Sequence, residues 1–116
     1  MLTKKKREKY FRKERVRKRE DFFRLNHQGS RYYSKQYSII VVKNNLDYLR
    51  LAISIKRSVG NAAVRNYEKR VCREIFRKEK SGFKNGYDIL IIVRQQTERF
   101  IKSGSLLRNL FVRSMD

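Results

Sequence analysis

What this 116-residue chain lacks is informative first. It has one cysteine, Cys72, and one histidine, His27. A lone cysteine excludes an intramolecular disulfide, and the two residues lie too far apart in sequence for a zinc site of ordinary spacing. Cys72 reads as a packed, unreactive thiol and His27 as a solvated or helix-end side chain. There is no Ser/His/Asp set, no pair of carboxylates at a plausible site and no phosphate-cradling glycine loop, so the chain alone does not read as an enzyme. No apolar run comes near the roughly 18 residues of a membrane-spanning helix. The opening MLTKKKREKYFRKERVRKRE puts no apolar stretch behind its charges, which argues against a secretory signal and for a cytoplasmic protein.

Acidic residues are the other scarcity: 11 Asp and Glu stand against 31 Lys and Arg, a formal charge of +20. A chain of this length supports one domain with a modest core, so its surface must carry most of its function. The self-repulsion of so many cations implies a polyanionic partner, either nucleic acid or an anionic membrane surface. The charge is also unevenly spread. Residues 1–19 hold eleven basic and two acidic side chains, which predicts a flexible arm that orders on a polyanion, followed by a single domain over 20–116.

Within that domain, EDFFRLNHQG predicts a short helix with Phe22, Phe23 and Leu25 as its apolar residues and Gly29 as its stop. The stretch after it is rich in β-branched and aromatic residues, with a short strand expected near 31–34 and then two longer strands. NNLD divides those two, which predicts a hairpin. The second long strand alternates. Leu49, Leu51, Ile53 and Ile55 fall on one face, and Arg50, Ala52, Ser54 and Lys56 on the other. The first set suits a core; the second, small and basic, suits an open floor for an anion. YDILIIVR is apolar almost throughout, as a central strand covered on both sides would be. The last segment spaces Phe100, Leu107, Leu110 and Phe111 as a helix, with Thr97 as a candidate cap and Gly104 as a weak point. The expected fold is therefore an α/β (α+β) two-layer sandwich in the order α-β-β-β-α-β-α.

The densest chemistry lies in KRSVGNAAVRNYEKRVCREIF, residues 56–76. At about 100° per residue, Val64, Tyr67, Val71 and Ile75 gather on one side of a helix. Arg65, Asn66, Lys69, Arg70, Arg73 and Arg77 gather on the other. Like charges spaced i, i+4 cost a helix a few tenths of a kcal/mol per pair, roughly. A merely solvated face would mix signs more evenly, so this one reads as a binding face.

The same stretch resembles the signature of the protein subunit of bacterial ribonuclease P. A strand ending in Ser and Lys is followed there by Gly-Asn-Ala, then Arg-Asn-Arg and a Lys-Arg pair. Ser54, Arg57, Gly60, Asn61, Ala62, Arg65, Asn66, Lys69 and Arg70 supply it here. EDF at Glu20, KQYSI at Lys35, YDILIIVR and the closing LRNLF keep the family's order, so the likeness spans roughly residues 15–113. There are departures: Tyr67 replaces the second arginine, Ser58 stands where the family often has lysine, and Asn26 takes a position usually aromatic. By the helical count, Tyr67 turns toward the apolar side.

The resemblance implies a sandwich with a left-handed crossover and an RNA subunit that cuts the 5′ leader from precursor tRNA with Mg²⁺, none of it held by this chain. It implies two partners, the catalytic RNA and precursor tRNA, and no required protein partner. Arg57, Asn61, Arg65, Asn66, Lys69, Arg70 and Arg73 would contact the catalytic RNA. Phe22 and Tyr37 match the family's leader cleft, with Ala52 and Ser54 as its floor and Arg50 and Lys56 at its ends. Three rivals remain open at this point: a ribosomal protein, a basic DNA-associated protein and, least of all, a free-standing nuclease.

Overall fold

A computed structural model describes residues 12–96. Residues 1–11 of the expected arm and the expected closing helix with Phe100, Leu107, Leu110 and Phe111 lie outside the described residues. The elements are α1 (Arg19–Gln28), β1 (Ser30–Tyr33), β2 (Tyr37–Lys43), β3 (Arg50–Ile55), α2 (Ala62–Glu79) and β4 (Tyr87–Val93). Short 3-10 turns occupy Arg12–Glu14, Arg57–Val59 and Lys80–Gly82. The order expected for these elements is the order found.

The strand pairing corrects one expectation. β2 and β3 do not form a hairpin, because the sheet runs β1-β2-β4-β3 and β4 lies between them. β4 pairs antiparallel with β2 and parallel with β3, and the true hairpin is β1–β2. A parallel neighbour requires a crossover, which α2 supplies between β3 and β4. The strand richest in apolar residues on both faces takes the central place, where both faces are covered. The turn expected at NNLD is present, with Asn45 at φ 59°, but it carries the chain across the width of the intervening strand.

The sheet's register sorts the side chains into two layers. On one face Tyr37, Ile39, Val41, Leu49, Leu51, Ile89, Ile91 and Val93 pack with Val71, Cys72, Ile75 and Phe76 of α2. On the other, Ile40, Ala52 and Leu90 pack with Leu25 of α1 and Val16, and Phe22 is half-buried against them. Gly29 permits the second contact. A Cβ at that position would stand 2.3 Å from Ile40 Cγ2 and 2.4 Å from the Leu25 carbonyl oxygen, although its φ of −75° is open to any residue.

The fold also begins before the composition break at residue 19. The Val16 amide donates to the Leu51 carbonyl at 2.9 Å, setting residues 15 and 16 along the outer edge of β3. Glu14 and Lys80 form a buried ion pair at 2.8 Å. Part of the expected arm is thus a component of the domain.

Candidate RNA interface

The first candidate surface is the solvent side of α2. Asn61 caps the helix, its side-chain oxygen accepting from the Val64 amide at 3.0 Å. It was expected at the RNA surface; it is exposed there, but that oxygen is already engaged by the cap. Behind the helix, Glu68, Val71, Cys72, Ile75 and Phe76 are buried. Cys72 and Phe76 widen the apolar stripe on the side away from Tyr67. Tyr67 is accordingly 47% exposed, which corrects the expectation that it turns to the core.

In front, Asn66, Arg70 and Arg73 are exposed, with Arg65 and Lys69 half-buried at the flank. Among the described residues none of Arg65, Lys69, Arg70 and Arg73 enters a salt bridge, whereas Arg77 is held by Glu74. That bond draws the Glu74 carboxyl below its ordinary pKa. Arg65, Asn66 and Lys69 share a recess of about 310 Å³ with Ile53, Ile55 and Ala62, where α2 meets the outer edge of β3. Arg57, in the turn before the helix, is exposed beside this row. Burial drives the Cys72 thiol far above its ordinary pKa, helped by nearby Glu68, as an inert packed cysteine requires.

The second candidate surface is the α1 side of the sheet, and here three assignments change. Tyr37 is wholly buried, at 0% exposure, in the opposite layer under α2, so it offers no ring to a ligand on the α1 side. Ala52 is covered by the packing around α1 and forms no open floor. Arg50 is bound in a network around Asp88, itself at 0% exposure. Its Nε and Nη2 donate to Asp88 at 2.8 and 2.7 Å. Arg24 of α1 donates to the same carboxylate at 2.9 Å, and Asn44 does so at 2.9 Å. The Asp88 hydrogen bond holds the Arg50 pKa above its ordinary value, against the opposing effect of burial. Arg50 ties helix to sheet and is not a free cation.

The register also sets a row across the sheet that is open at its two ends. Tyr33 is opposite Ser38, Ser38 opposite Ile92, and Ile92 opposite Ser54, making one row across all four strands. Three interstrand gaps make this row about 14 Å long. Ser54 is exposed and Ile92 half-exposed, while Ser38 is buried; Lys56 lies beyond β3 and is exposed. Of the expected cleft residues, Phe22, Ser54 and Lys56 therefore remain near an accessible surface. The row ends at Tyr33, 53% exposed, with the Arg94 guanidinium 5.9 Å from its ring centroid. Arg94 also donates to the Ser34 carbonyl.

Sequence reasoning missed Tyr33, Arg94 and Asp88. Only the acid inside YDILIIVR signalled the last of these. Among the described residues no group of three or more His, Cys, Asp or Glu side chains comes together, and no helix is long and apolar enough to cross a membrane.

Comparison with known proteins agrees with this architecture. The family model described as Ribonuclease P matches residues 11–112. The ribonuclease P protein component of Syntrophus aciditrophicus is 38% identical over 99 residues, 85% of this chain and 82% of that one. The solved ribonuclease P protein of Thermotoga maritima superposes with a TM-score of 0.77 at 35% identity, covering 86% of this chain and 96% of the other. That of Staphylococcus aureus gives 0.79 at 29%, covering 89% and 98%. With the family match extending through the crossover helix and every described strand, the chain belongs to the bacterial ribonuclease P protein family, RNA-binding components of the endonuclease that matures tRNA 5′ ends.

Proposed function

We propose that this chain binds the catalytic RNA of ribonuclease P through the front of α2 and guides the 5′ leader of precursor tRNA along the open row of the sheet. The observation that carries the first part is the set of Arg65, Lys69, Arg70 and Arg73, which have no salt bridge among the described residues and stand on a helix anchored by its apolar back. Such a row neutralises closely spaced phosphates, and arginine adds paired hydrogen bonds. Arg57 and Asn66 extend the same surface, with Asn66 offering a directional hydrogen bond.

The leader presents base faces as well as phosphates, so its surface needs an apolar or aromatic floor with cations at the margins. The row ending at Ser54 and Lys56 meets that description, with Phe22 beside it. In this reading the RNA subunit performs the cleavage and holds the Mg²⁺. The protein strengthens assembly and the recognition of leader-bearing substrate, and needs no protein partner.

The test is reconstitution with a bacterial ribonuclease P RNA, reading precursor cleavage at low Mg²⁺ with and without the protein. Strong stimulation with correct 5′ ends is expected, and binding without stimulation would overturn the proposal. With roughly five phosphate contacts, log K should fall against log salt with a slope of about −4. Arg65→Ala and Arg70→Ala should each flatten that slope by about one unit and weaken assembly. Wild-type slopes in both variants would remove α2 from the RNA interface.

A further inference from the structure

The β1 end of this row holds an exposed aromatic ring beside a cation. We infer that Tyr33, with Arg94 at its edge, is a stacking site for an unpaired nucleotide of the leader. This inference rests on the leader reading just given and extends it to a definite residue.

Strand parity sets the direction of the ring. Tyr32 and Tyr33 are adjacent on β1 and must point to opposite faces. Tyr32 packs against the α2 core, which directs Tyr33 to the α1 side. The pairing Tyr33–Ser38–Ile92–Ser54 then places the ring at one end of a row that is exposed at Tyr33 and Ser54, half-exposed at Ile92 and buried at Ser38, about 14 Å from the end bearing Ser54 and Lys56. That length accommodates up to roughly four stacked nucleotides at ~3.4 Å each.

The surroundings fit a base better than an apolar protein partner. Tyr33 retains 53% exposure even with Arg94 over it, so ring area remains for contact. Arg94 is held by the Ser34 carbonyl, and its Nε is buried with no hydrogen-bond partner among the described residues. Arg31, on the same face one pair along β1, and Lys35, in the hairpin loop, add exposed positive charge. An aromatic ring among cations favours a stacked base whose phosphate is neutralised nearby. Ser38 and Ile92, lying between the two ends, and Ser54 at the far one offer no second ring. The row therefore stacks at Tyr33 and tracks the backbone elsewhere.

The experiment uses the holoenzyme assembled from the full chain and a bacterial ribonuclease P RNA. The probes are precursor tRNAs whose leaders lengthen one nucleotide at a time, with mature tRNA as reference. Tyr33→Ala should weaken binding of long-leader precursor by about tenfold, and the loss should vanish at the shortest leader. Tyr33→Phe and Tyr33→Trp should bind like wild type, because the ring face is what stacks. Arg94→Gln should give a smaller loss with a reduced salt slope. Wild-type binding by Tyr33→Ala at every leader length would overturn the inference while leaving the cleft in place. Equal weakening for mature tRNA would also overturn it, because the contact would then not involve the leader. A wild-type holoenzyme with no protein-dependent preference for leader-bearing over mature tRNA would instead refute the cleft itself.

Discussion

The two faces of the sheet are built on different principles. Under α2 the packing is apolar and continuous, from Tyr37 and Val93 of the sheet to Phe76 of the helix. Under α1 the apolar cluster is small, and the remaining attachment is a buried carboxylate shared by Arg50, Arg24 and Asn44. A thick core lets α2 carry a dense row of like charges, because burial of its back outweighs their mutual repulsion of a few tenths of a kcal/mol per pair, roughly. The α1 layer has another consequence: ion pairing holds its helix over one end of the sheet and leaves Tyr33 and Ser54, at the two ends of their row, exposed. The comparison teaches that charge is displayed where the core is deepest, and an open floor is kept where it is shallowest.

The difference can be broken at Asp88. Asp88→Ala removes the carboxylate shared by Arg50 and Arg24, leaving both with Asp21 at 3.4 Å, and should cost about 3 kcal/mol, the low end for a broken buried pair, read by denaturant unfolding. Amide exchange should quicken in α1 well before α2, since only α1 is tied to the sheet through this carboxylate. Equal loss of protection in both helices would show that the layers are not separable. A smaller effect is expected from Gly29→Ala, whose Cβ meets Ile40 and the Leu25 carbonyl. It should cost roughly 1–3 kcal/mol by forcing the end of α1 from the sheet. The smallest concerns the deep layer: the Cys72 thiol, with its pKa raised by burial, should resist alkylation at mildly alkaline pH until denaturant is added. The sign also predicts an alkaline limit. As pH rises above the unfolded thiol's pKa, the unfolded chain ionises while the native thiol stays protonated, so stability falls.

Much of the α2 surface was legible because helical periodicity separates its chemistry without knowledge of the rest of the chain. Leu49, Leu51, Ile53 and Ile55 were equally plain, since β3 alternates. β2 was not: residues 37–41 are all buried, so the strand has no polar face to tell which way Tyr37 points. The family likeness put Tyr37 in the cleft, and nothing in the strand's own pattern corrected it. The pairing of β2 with β4 was hidden for a related reason. Sequence adjacency favours a hairpin, and only the doubly covered environment of YDILIIV draws β4 between them. Asp88 illustrates a third limit, because a single acid inside an apolar run gives no sign of the two arginines and the asparagine that meet it.

The insertion of β4 between β2 and β3 has a consequence for how the chain is made. β1 and β2 can pair as soon as they emerge during synthesis, whereas β3, bridged on its outer edge by residues 15 and 16, has no strand on its inner edge until residues 87–93 follow. That inner edge stays unpaired for the whole time α2 is being translated. A nascent chain of this protein therefore passes through a stage in which a cationic helix is complete and its platform is not. β4, the last strand among the described residues, is then the latch that commits the sheet.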